Sequence, residues 1–348
     1  MTTTQFWKHL SSGLLCFLFL IVCPVWSADP VTPTSATKTD LNVLFVGNSM
    51  TWFCNMPRTV AELAEKMDPP VHIHAAMTVG ACNTIAKSHA PENSNARRSI
   101  AGNIDGVQKK IAAEIAWLPT AITAEPDNAL LKRDLARLQS DAKALSGKPI
   151  WDIVVIQPWG GEDVKDAVTF AANVKILQDD IAKSSPNARV IMYMDPTRRM
   201  DSARQEKSVR ETVMPAYRQL AASNRVEVAP AALTGQLICK ERPDYWLKIQ
   251  KLPGDAHHGM RGAYAVACTI FATIFDRSPE GLPIHRMEAH YSIGGTRKGA
   301  DGKKVPVAGK MHMEYFDDQP IEDLSDRDMR FIQTQAWNTW QEWNIQAR

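Results

Sequence analysis

The sequence lacks a surplus of charge of either sign. Lys and Arg number 40 against 38 Asp and Glu, which leaves a formal net charge of +2. This balance argues against the basic field that holds nucleic acid, and there is no acidic tail. Glycine (18) and proline (21) are also too scarce among 348 residues for a collagen-like or broadly disordered chain. Hydrophobic residues make up 45% of the chain, so it can bury a core.

Long apolar runs are also missing after the first 27 residues. The run at 10–23 follows Lys8 and is too short to span a bilayer comfortably. Because a small residue, Ser27, ends this segment, residues 1–27 are predicted to be a secretory signal and the chain to be exported, periplasmic or extracellular. A lipid anchor at Cys23 and a retained membrane anchor are the alternatives. No second run of spanning length follows, so no stable membrane span is expected after processing.

Cysteine is scarce too. Four cysteines lie beyond the predicted signal, at Cys54, Cys82, Cys239 and Cys268. Their scattered spacing argues against a structural zinc site and against a disulfide scaffold. Two interpretations remain open: one or two disulfides of an exported chain, or small buried hydrophobic residues.

Short apolar runs alternate with segments of helical periodicity through the rest of the chain. Residues 28–40 are rich in Pro, Thr, Ser and Ala and are predicted to be a flexible lead-in, followed by a single domain over 41–348. The alternation predicts a three-layer α/β/α sandwich with a mainly parallel five-stranded sheet. Strands are predicted at 42–46, 71–79, 152–156, 189–194 and 226–229. Residues 105–148 are predicted to be an inserted helical hairpin, broken at Pro119 and Pro126.

Polar or small residues follow the first three predicted strands, where open α/β sheets place their functional crevice. Ser49 follows the first strand, Gly80 the second and Gln157 the third. A serine at a turn from strand to helix can expose its hydroxyl beside backbone N–H groups, as a nucleophile requires. The alternative is that Ser49 or Thr51 simply caps the next helix.

A serine nucleophile needs a base. The segment Asp255-Ala256-His257-His258 precedes a predicted helix and places a carboxylate three residues before an imidazole, so Asp255 could orient His258 toward a serine. A metal site and ordinary polar loop residues are the alternatives here. The pair His72 and His74 on the second strand could ligate zinc, but hydrated or hydrogen-bonded strand histidines are favoured.

Tryptophans occur beside the predicted site loops and in a cluster near residue 340. Trp52 and Trp159 each follow a predicted site loop, which favours contact with substrate. The cluster at Trp337, Trp340 and Trp343 could line a sugar site, but its helical spacing favours packing in the core.

The run Val43 to Thr51, with its Gly-Asn-Ser centre, resembles the first block of the SGNH/GDSL hydrolases, in an exported bacterial subgroup with a GNS-x-T start. Gly80 matches the glycine of the second block, Gln157 the position of the third-block asparagine, and Asp255 with His258 the terminal D-x-x-H. A glycine normally found five residues after the histidine selects His257 instead. The resemblance implies a flavodoxin-like sheet, and an oxyanion hole from the N–H groups of Ser49 and Gly80 and the Gln157 side chain.

The resulting expectation is a secreted esterase that removes ester groups, with acetyl groups on a carbohydrate the favoured substrate. Ser49 would attack, and His258, preferred over His257, would transfer the proton with Asp255 fixing its tautomer. No cofactor, metal or nucleic-acid partner is expected. The alternatives are a non-catalytic carbohydrate-binding or scaffold protein on the same fold, and a metal-dependent hydrolase that uses Asp255, His257 and His258.

Overall fold

A five-stranded parallel sheet forms the centre of the protein. The computed structural model describes residues 38–52, 54, 56–80, 83–124, 126–127, 129–159, 163–195, 207–245, 257–283, 296–298, 304–306 and 324–346. The strands are β1 (Asp40–Gly47), β2 (His72–Val79), β3 (Ile153–Ile156), β4 (Arg189–Tyr193) and β5 (Glu227–Ala229). Their order across the sheet is β2-β1-β3-β4-β5. All five predicted strands are confirmed, and every pairing within this sheet is parallel. Two further short strands, β6 (Thr296–Lys298) and β7 (Lys304–Pro306), form a separate antiparallel pair.

Strand β1 shows why the sheet is covered on both faces. Val43 and Phe45 lie in one hydrophobic cluster, whereas Leu44 and Val46 lie in a second. Successive side chains of a strand point to opposite faces, so a continuous apolar run must be buried on both sides. The three-layer α/β/α class predicted from the sequence is therefore confirmed.

Helices lie between the strands of the sheet along the chain, and three more of the described helices follow β5. Those ahead of β3 are α1 (Ser49–Trp52), α2 (Met56–Glu65), α3 (Ile85–Ser88), α4 (Asn95–Ile100), α5 (Asp105–Ala124) and α6 (Ala129–Ala144). Those after it are α7 (Ala167–Ser184), α8 (Met214–Asn224, preceded by a π-helical turn over Val209–Val213), α9 (Ala231–Glu241), α10 (Met260–Phe275) and α11 (Asp326–Ile345). Helices α2, α10 and α11 supply one apolar layer, and α4, α7 and α8 supply the other.

Helices α5 and α6 pack against each other and against β2, the edge strand of the sheet. The predicted break at Pro119 is wrong, because Pro119 lies inside α5, and the described turn after the helix is at residues 126–127. A proline removes one backbone hydrogen bond from a helix. Here the contact of Leu118 and Ala121 with Leu131 of α6 holds the helix together across that position.

The C-terminal helix α11 begins as its sequence predicts. The Ser325 hydroxyl accepts a hydrogen bond from the backbone N–H of Asp328 at 3.1 Å, which is an N-cap. Trp343 is buried in the core, while Trp337 and Trp340 are half-buried and stack with ring centroids 4.8 Å apart. Packing thus accounts for this cluster. Among the residues described, no helix is long and apolar enough to cross a membrane.

Candidate active site

The candidate site lies at the carboxyl ends of β1 and β3, which are neighbours in the sheet although their connections run in opposite directions. Ligands bind in this crevice in open α/β sheets. Ser49 lies two residues after the end of β1 and opens α1. Asn48 caps this short helix, because its Oδ1 accepts the Met50 N–H at 2.9 Å and its backbone carbonyl accepts the Thr51 N–H at 3.0 Å.

Ser49 and His257 are in hydrogen-bond contact. The distance from His257 Nε2 to Ser49 Oγ is 2.8 Å, although the two residues are 208 positions apart in the chain. This distance is the one required between a nucleophilic hydroxyl and its general base. A neutral imidazole with its proton on Nδ1 presents Nε2 as an acceptor for the serine proton. The pair can therefore activate an oxygen nucleophile.

The preference for His258 is corrected, because His257 makes the contact with Ser49. His258 is only 5% exposed, and neither of its ring nitrogens hydrogen-bonds with normal geometry to a described residue. Burial and then the neighbouring His257 lower the pKa of His258 to about 4, with the nearby Met50 backbone opposing the shift. The ring is therefore neutral at pH 7 and packed in the interior. The third predicted member, Asp255, lies outside the described residues.

The Gln157 amide does not have the geometry expected of an oxyanion donor. Its Nε2 donates to the Pro158 carbonyl at 2.8 Å and to Asp195 Oδ2 at 3.0 Å. An amide nitrogen has two hydrogens, and both are used in these bonds. The side chain is also fully buried. Gln157 is therefore a structural link between loops in this structure, and its predicted contact with substrate is corrected.

Gly80 is likewise engaged within the protein. Its backbone N–H donates to the Gly47 carbonyl at 2.8 Å, which continues the β1–β2 ladder by one bond. A Cβ at residue 80 would lie 2.7 Å from Cε1 of His89, so only glycine fits above this buried ring. The predicted role of the Gly80 N–H in an oxyanion hole is corrected as well. Of the three predicted oxyanion donors, only the Ser49 N–H is still proposed to bind the oxyanion.

Two buried polar side chains that the sequence analysis missed connect the site loops. Asp163 accepts the Trp159 N–H at 2.7 Å and the Ile85 N–H at 2.8 Å, which ties the loop after β3 to helix α3. His89 lies under Gly80 and hydrogen-bonds with the Gln157 backbone, and burial lowers its pKa to about 4. Asp163 stands in an ordinary polar loop sequence, so no motif marks it. Trp52 and Trp159 are half-buried, and their contact with substrate stays a prediction.

The histidine pair of β2 agrees with the favoured interpretation of hydrogen-bonded strand residues. His74 is buried between Asp141, with Nδ1 2.9 Å from its carboxylate, and Asp40, with Nε2 at 3.3 Å. The hydrogen bond to Asp141 is the largest cause of a raised pKa at His74. His72 is exposed beside Glu65. Over the described ranges, no group of three His, Cys, Asp or Glu side chains could hold a metal ion.

Acid is expected to destabilise the fold through His89 and His258. Both have a pKa of about 4 in the folded protein, against 6.5 for an exposed histidine. The unfolded chain therefore binds protons more readily, so their stabilising contribution is complete above pH 6.5 and is lost as the pH falls toward 4. Each group accounts for up to about 3 kcal/mol. His74, with its pKa raised, acts in the opposite direction and only above pH 6.5.

Urea unfolding at pH 7 and pH 4.5 measures this effect. His258→Gln should show roughly half the loss of unfolding free energy that the wild type shows, because one of the two groups no longer titrates. Equal unfolding free energies of the wild type at the two pH values would contradict the prediction.

Comparison with known proteins gives distant structural similarity only. No family model and no curated protein matches the chain. A DUF4886 family protein from Bacteroides uniformis has a TM-score of 0.48 at 14% identity, over 86% of this chain and 94% of its own. A protein from Slackia heliotrinireducens, proposed to be an SGNH hydrolase, has a TM-score of 0.39 at 18% identity, over 68% of this chain and 99% of its own. A protein from Parabacteroides merdae, proposed to be a GDSL-like lipase, has a TM-score of 0.38 at 15% identity, over 68% of this chain and 95% of its own.

These similarities are too low to assign an activity. The fold of this chain therefore rests on its own strand order and pairing, and its chemistry rests on the contact between Ser49 and His257.

Proposed function

We propose that this chain is a serine hydrolase of the SGNH/GDSL type that cleaves esters by acyl transfer through Ser49. One observation carries the proposal: Ser49 Oγ lies 2.8 Å from His257 Nε2 at the carboxyl end of β1. The start of helix α1 is capped by Asn48, so the helix does not need the contact between Ser49 and His257 for its stability. The pairing is the one that acyl transfer requires.

The chemistry follows from the pair. Ser49 Oγ attacks the ester carbonyl while its proton passes to His257 Nε2, and the imidazolium then protonates the leaving alcohol. A water molecule, deprotonated by the same nitrogen, releases the acid and restores the serine. Asp255, two residues before His257, is proposed to fix the tautomer through Nδ1, and the Ser49 N–H to bind the developing oxyanion.

Acetyl groups on an exported carbohydrate are the proposed substrate class. Trp52 lies on the same short helix as Ser49, and Trp159 follows Gln157 with its backbone held by Asp163. Both rings are half-buried, so each has some exposed surface that could lie beside the reacting serine. An apolar ring face suits the C–H face of a sugar as well as it suits a short acyl chain, so the substrate must be tested directly.

Rates on p-nitrophenyl acetate, p-nitrophenyl octanoate and an acetylated oligosaccharide test this proposal. Acetyl esters are expected to react fastest. Trp52→Ala and Trp159→Ala should raise KM for the oligosaccharide about tenfold, the effect of losing one apolar contact of about 1.4 kcal/mol, with little change for p-nitrophenyl acetate. Trp337→Ala is the matched control, since Trp337 is half-buried and stacks on Trp340. Faster hydrolysis of the octanoate would contradict the acetyl preference.

One observation favours the alternative of a non-catalytic carbohydrate-binding protein. Gln157 and Gly80, two of the three predicted oxyanion donors, form hydrogen bonds within the protein. Loss of one such donor typically costs about 10²- to 10³-fold in rate. A chain that binds oligosaccharide but turns over no ester in the assay above would establish this alternative.

A further inference from the structure

Gln157 joins the ends of three neighbouring strands through one buried amide. Its own strand is β3, its Oε1 faces the turn after β1, and its Nε2 faces Asp195 beyond the end of β4. We propose that Gln157 and Asp195 form a positioning pair that fixes the turn carrying Ser49. This inference rests on the proposed function and assigns Gln157 a role different from that of an oxyanion donor.

The first half of the pair acts on the nucleophile turn. Gln157 Oε1 accepts the backbone N–H of Asn48 at 3.0 Å and the hydroxyl of Thr51 at 2.8 Å. These residues flank Ser49 on both sides. Gly47 allows the close approach, because a Cβ there would lie 2.9 Å from Gln157 Oε1 and 2.0 Å from Thr51 Oγ1. The position of the turn is thus set by the Gln157 carbonyl oxygen.

The second half helps to set which way the amide points, together with the Pro158 carbonyl, which accepts a hydrogen bond from the same nitrogen at 2.8 Å. Asp195 is only 4% exposed, and its Oδ2 accepts a hydrogen bond from Gln157 Nε2 at 3.0 Å. An ionised carboxylate can only accept hydrogen bonds, so it requires the amide nitrogen to face it. The amide oxygen must then face Asn48 and Thr51. A flipped amide would turn its N–H groups toward the Asn48 N–H and its oxygen toward two acceptors, the Pro158 carbonyl and Asp195 Oδ2.

Exchange of donor and acceptor between the two positions tests this pair. Gln157→Glu removes both amide hydrogens and brings two carboxyl groups to about 3 Å, where they must share a proton and leave the Pro158 carbonyl without a donor. The rate of Ser49 labelling by a fluorophosphonate should therefore fall about 100-fold, the cost of a misplaced nucleophile. When Gln157→Glu is combined with Asp195→Asn, the amide introduced at position 195 can donate to the carboxylate introduced at position 157. The rate should return to within about tenfold of wild type.

The double variant separates positioning from oxyanion binding. It restores the hydrogen bond between positions 157 and 195 but contains no amide hydrogens at position 157, so the bond to the Pro158 carbonyl stays absent. If the double variant labels as slowly as Gln157→Glu alone, the amide hydrogens are needed in their own right and the inference is overturned. Wild-type labelling by Gln157→Glu would also overturn it.

Gln333→Glu is the matched control. Gln333 is also fully buried, accepts the Gly281 N–H at 3.0 Å, and donates to the Tyr264 hydroxyl and the Leu282 carbonyl at 2.8 and 2.9 Å. The same substitution there should lower stability but leave the labelling rate unchanged. If Gln157→Glu does not fold, Thr51→Val removes one of the two donors to Oε1 and should slow labelling about tenfold. No change in Thr51→Val would overturn the inference.

Hydrogen–deuterium exchange over residues 46–52 measures the turn without any activity. Uptake should rise in Gln157→Glu and return toward the wild-type level in the double variant. If the wild type does not react with the probe, the proposed function fails, while this pattern still supports the positioning pair. Equal uptake in all three proteins would overturn it.

Discussion

Ser49→Ala is expected to abolish hydrolysis of a chromogenic acetyl ester, lowering kcat by on the order of 10⁴- to 10⁶-fold. The reason is chemical, since alanine offers no oxygen to attack the carbonyl or to receive the acyl group. The fold should be little affected because Asn48 makes the cap contact of α1. The hydrogen bond to His257 is lost, at a cost of about 1 kcal/mol in unfolding free energy.

Ser184→Ala is the control for this substitution. Ser184 is also half-buried and its hydroxyl donates to the Ile100 carbonyl at 2.8 Å, but it lies on α7, away from the carboxyl end of β1. It should lower stability by a similar amount and leave kcat unchanged. A Ser49→Ala protein with the wild-type rate would end the assignment of the nucleophile.

The two adjacent histidines are expected to differ sharply. His257→Ala should lower kcat nearly as much as Ser49→Ala does, because His257 Nε2 faces the Ser49 hydroxyl. Members of one catalytic unit are strongly non-additive, so the double variant Ser49→Ala with His257→Ala should be no slower than either single variant. Steady-state kinetics on the acetyl ester measures all three.

His258→Ala should instead act on stability. His258 is buried and neutral at pH 7, so its removal leaves a cavity and lowers the unfolding free energy by about 2 to 4 kcal/mol, while kcat falls less than about tenfold. His258→Gln, which leaves a smaller cavity, should lose less stability. The reverse order, with His258→Ala inactive and His257→Ala active, would show that His257 is not the general base despite its contact with Ser49.

The sheet could be predicted because its signal is local. Apolar runs such as 153–156 are buried on both faces, and a short continuous apolar run is typical of a central strand in a parallel sheet. Ser49 could be predicted as a site residue for the same reason, because it lies just after the carboxyl end of β1, where open α/β sheets place their functional crevice. The segment Asp255 to His258 could be singled out from its residue types and its place before a predicted helix, and it does contain the partner of Ser49.

Two local counts disagreed on the choice between His257 and His258: the D-x-x-H spacing selected His258, whereas the glycine five residues further on selected His257, which makes the contact with Ser49. The two residues share a loop, and which ring faces Ser49 depends on the course of the backbone into α10. The His258 carbonyl lies 4.0 Å from Cys54 Sγ, a contact with a residue 204 positions away. The D-x-x-H spacing describes only the segment itself, so it selected the ring that turns into the core.

The oxyanion predictions failed for a related reason. The partners of Gln157 belong to the turn after β1 and the residue beyond β4, so nothing near residue 157 in the sequence indicates that the amide is already engaged. The Gly80 N–H bonds to the Gly47 carbonyl because Gly80 continues the parallel pairing of β2 with β1, whose last pair is Gly47 with Val79. Both corrections follow from contacts between segments that are far apart in the sequence, which residue type alone does not indicate.

Covalent labelling by a fluorophosphonate, mapped by peptide mass spectrometry, tests the central claim most directly. The probe bonds to an activated serine oxygen and loses fluoride, so it reports the nucleophile without assuming a substrate. We predict a single adduct on the peptide that contains Ser49, absent from Ser49→Ala and strongly slowed in His257→Ala. No adduct on the folded wild-type protein, or an adduct on another serine, would contradict the proposed role of Ser49 and His257.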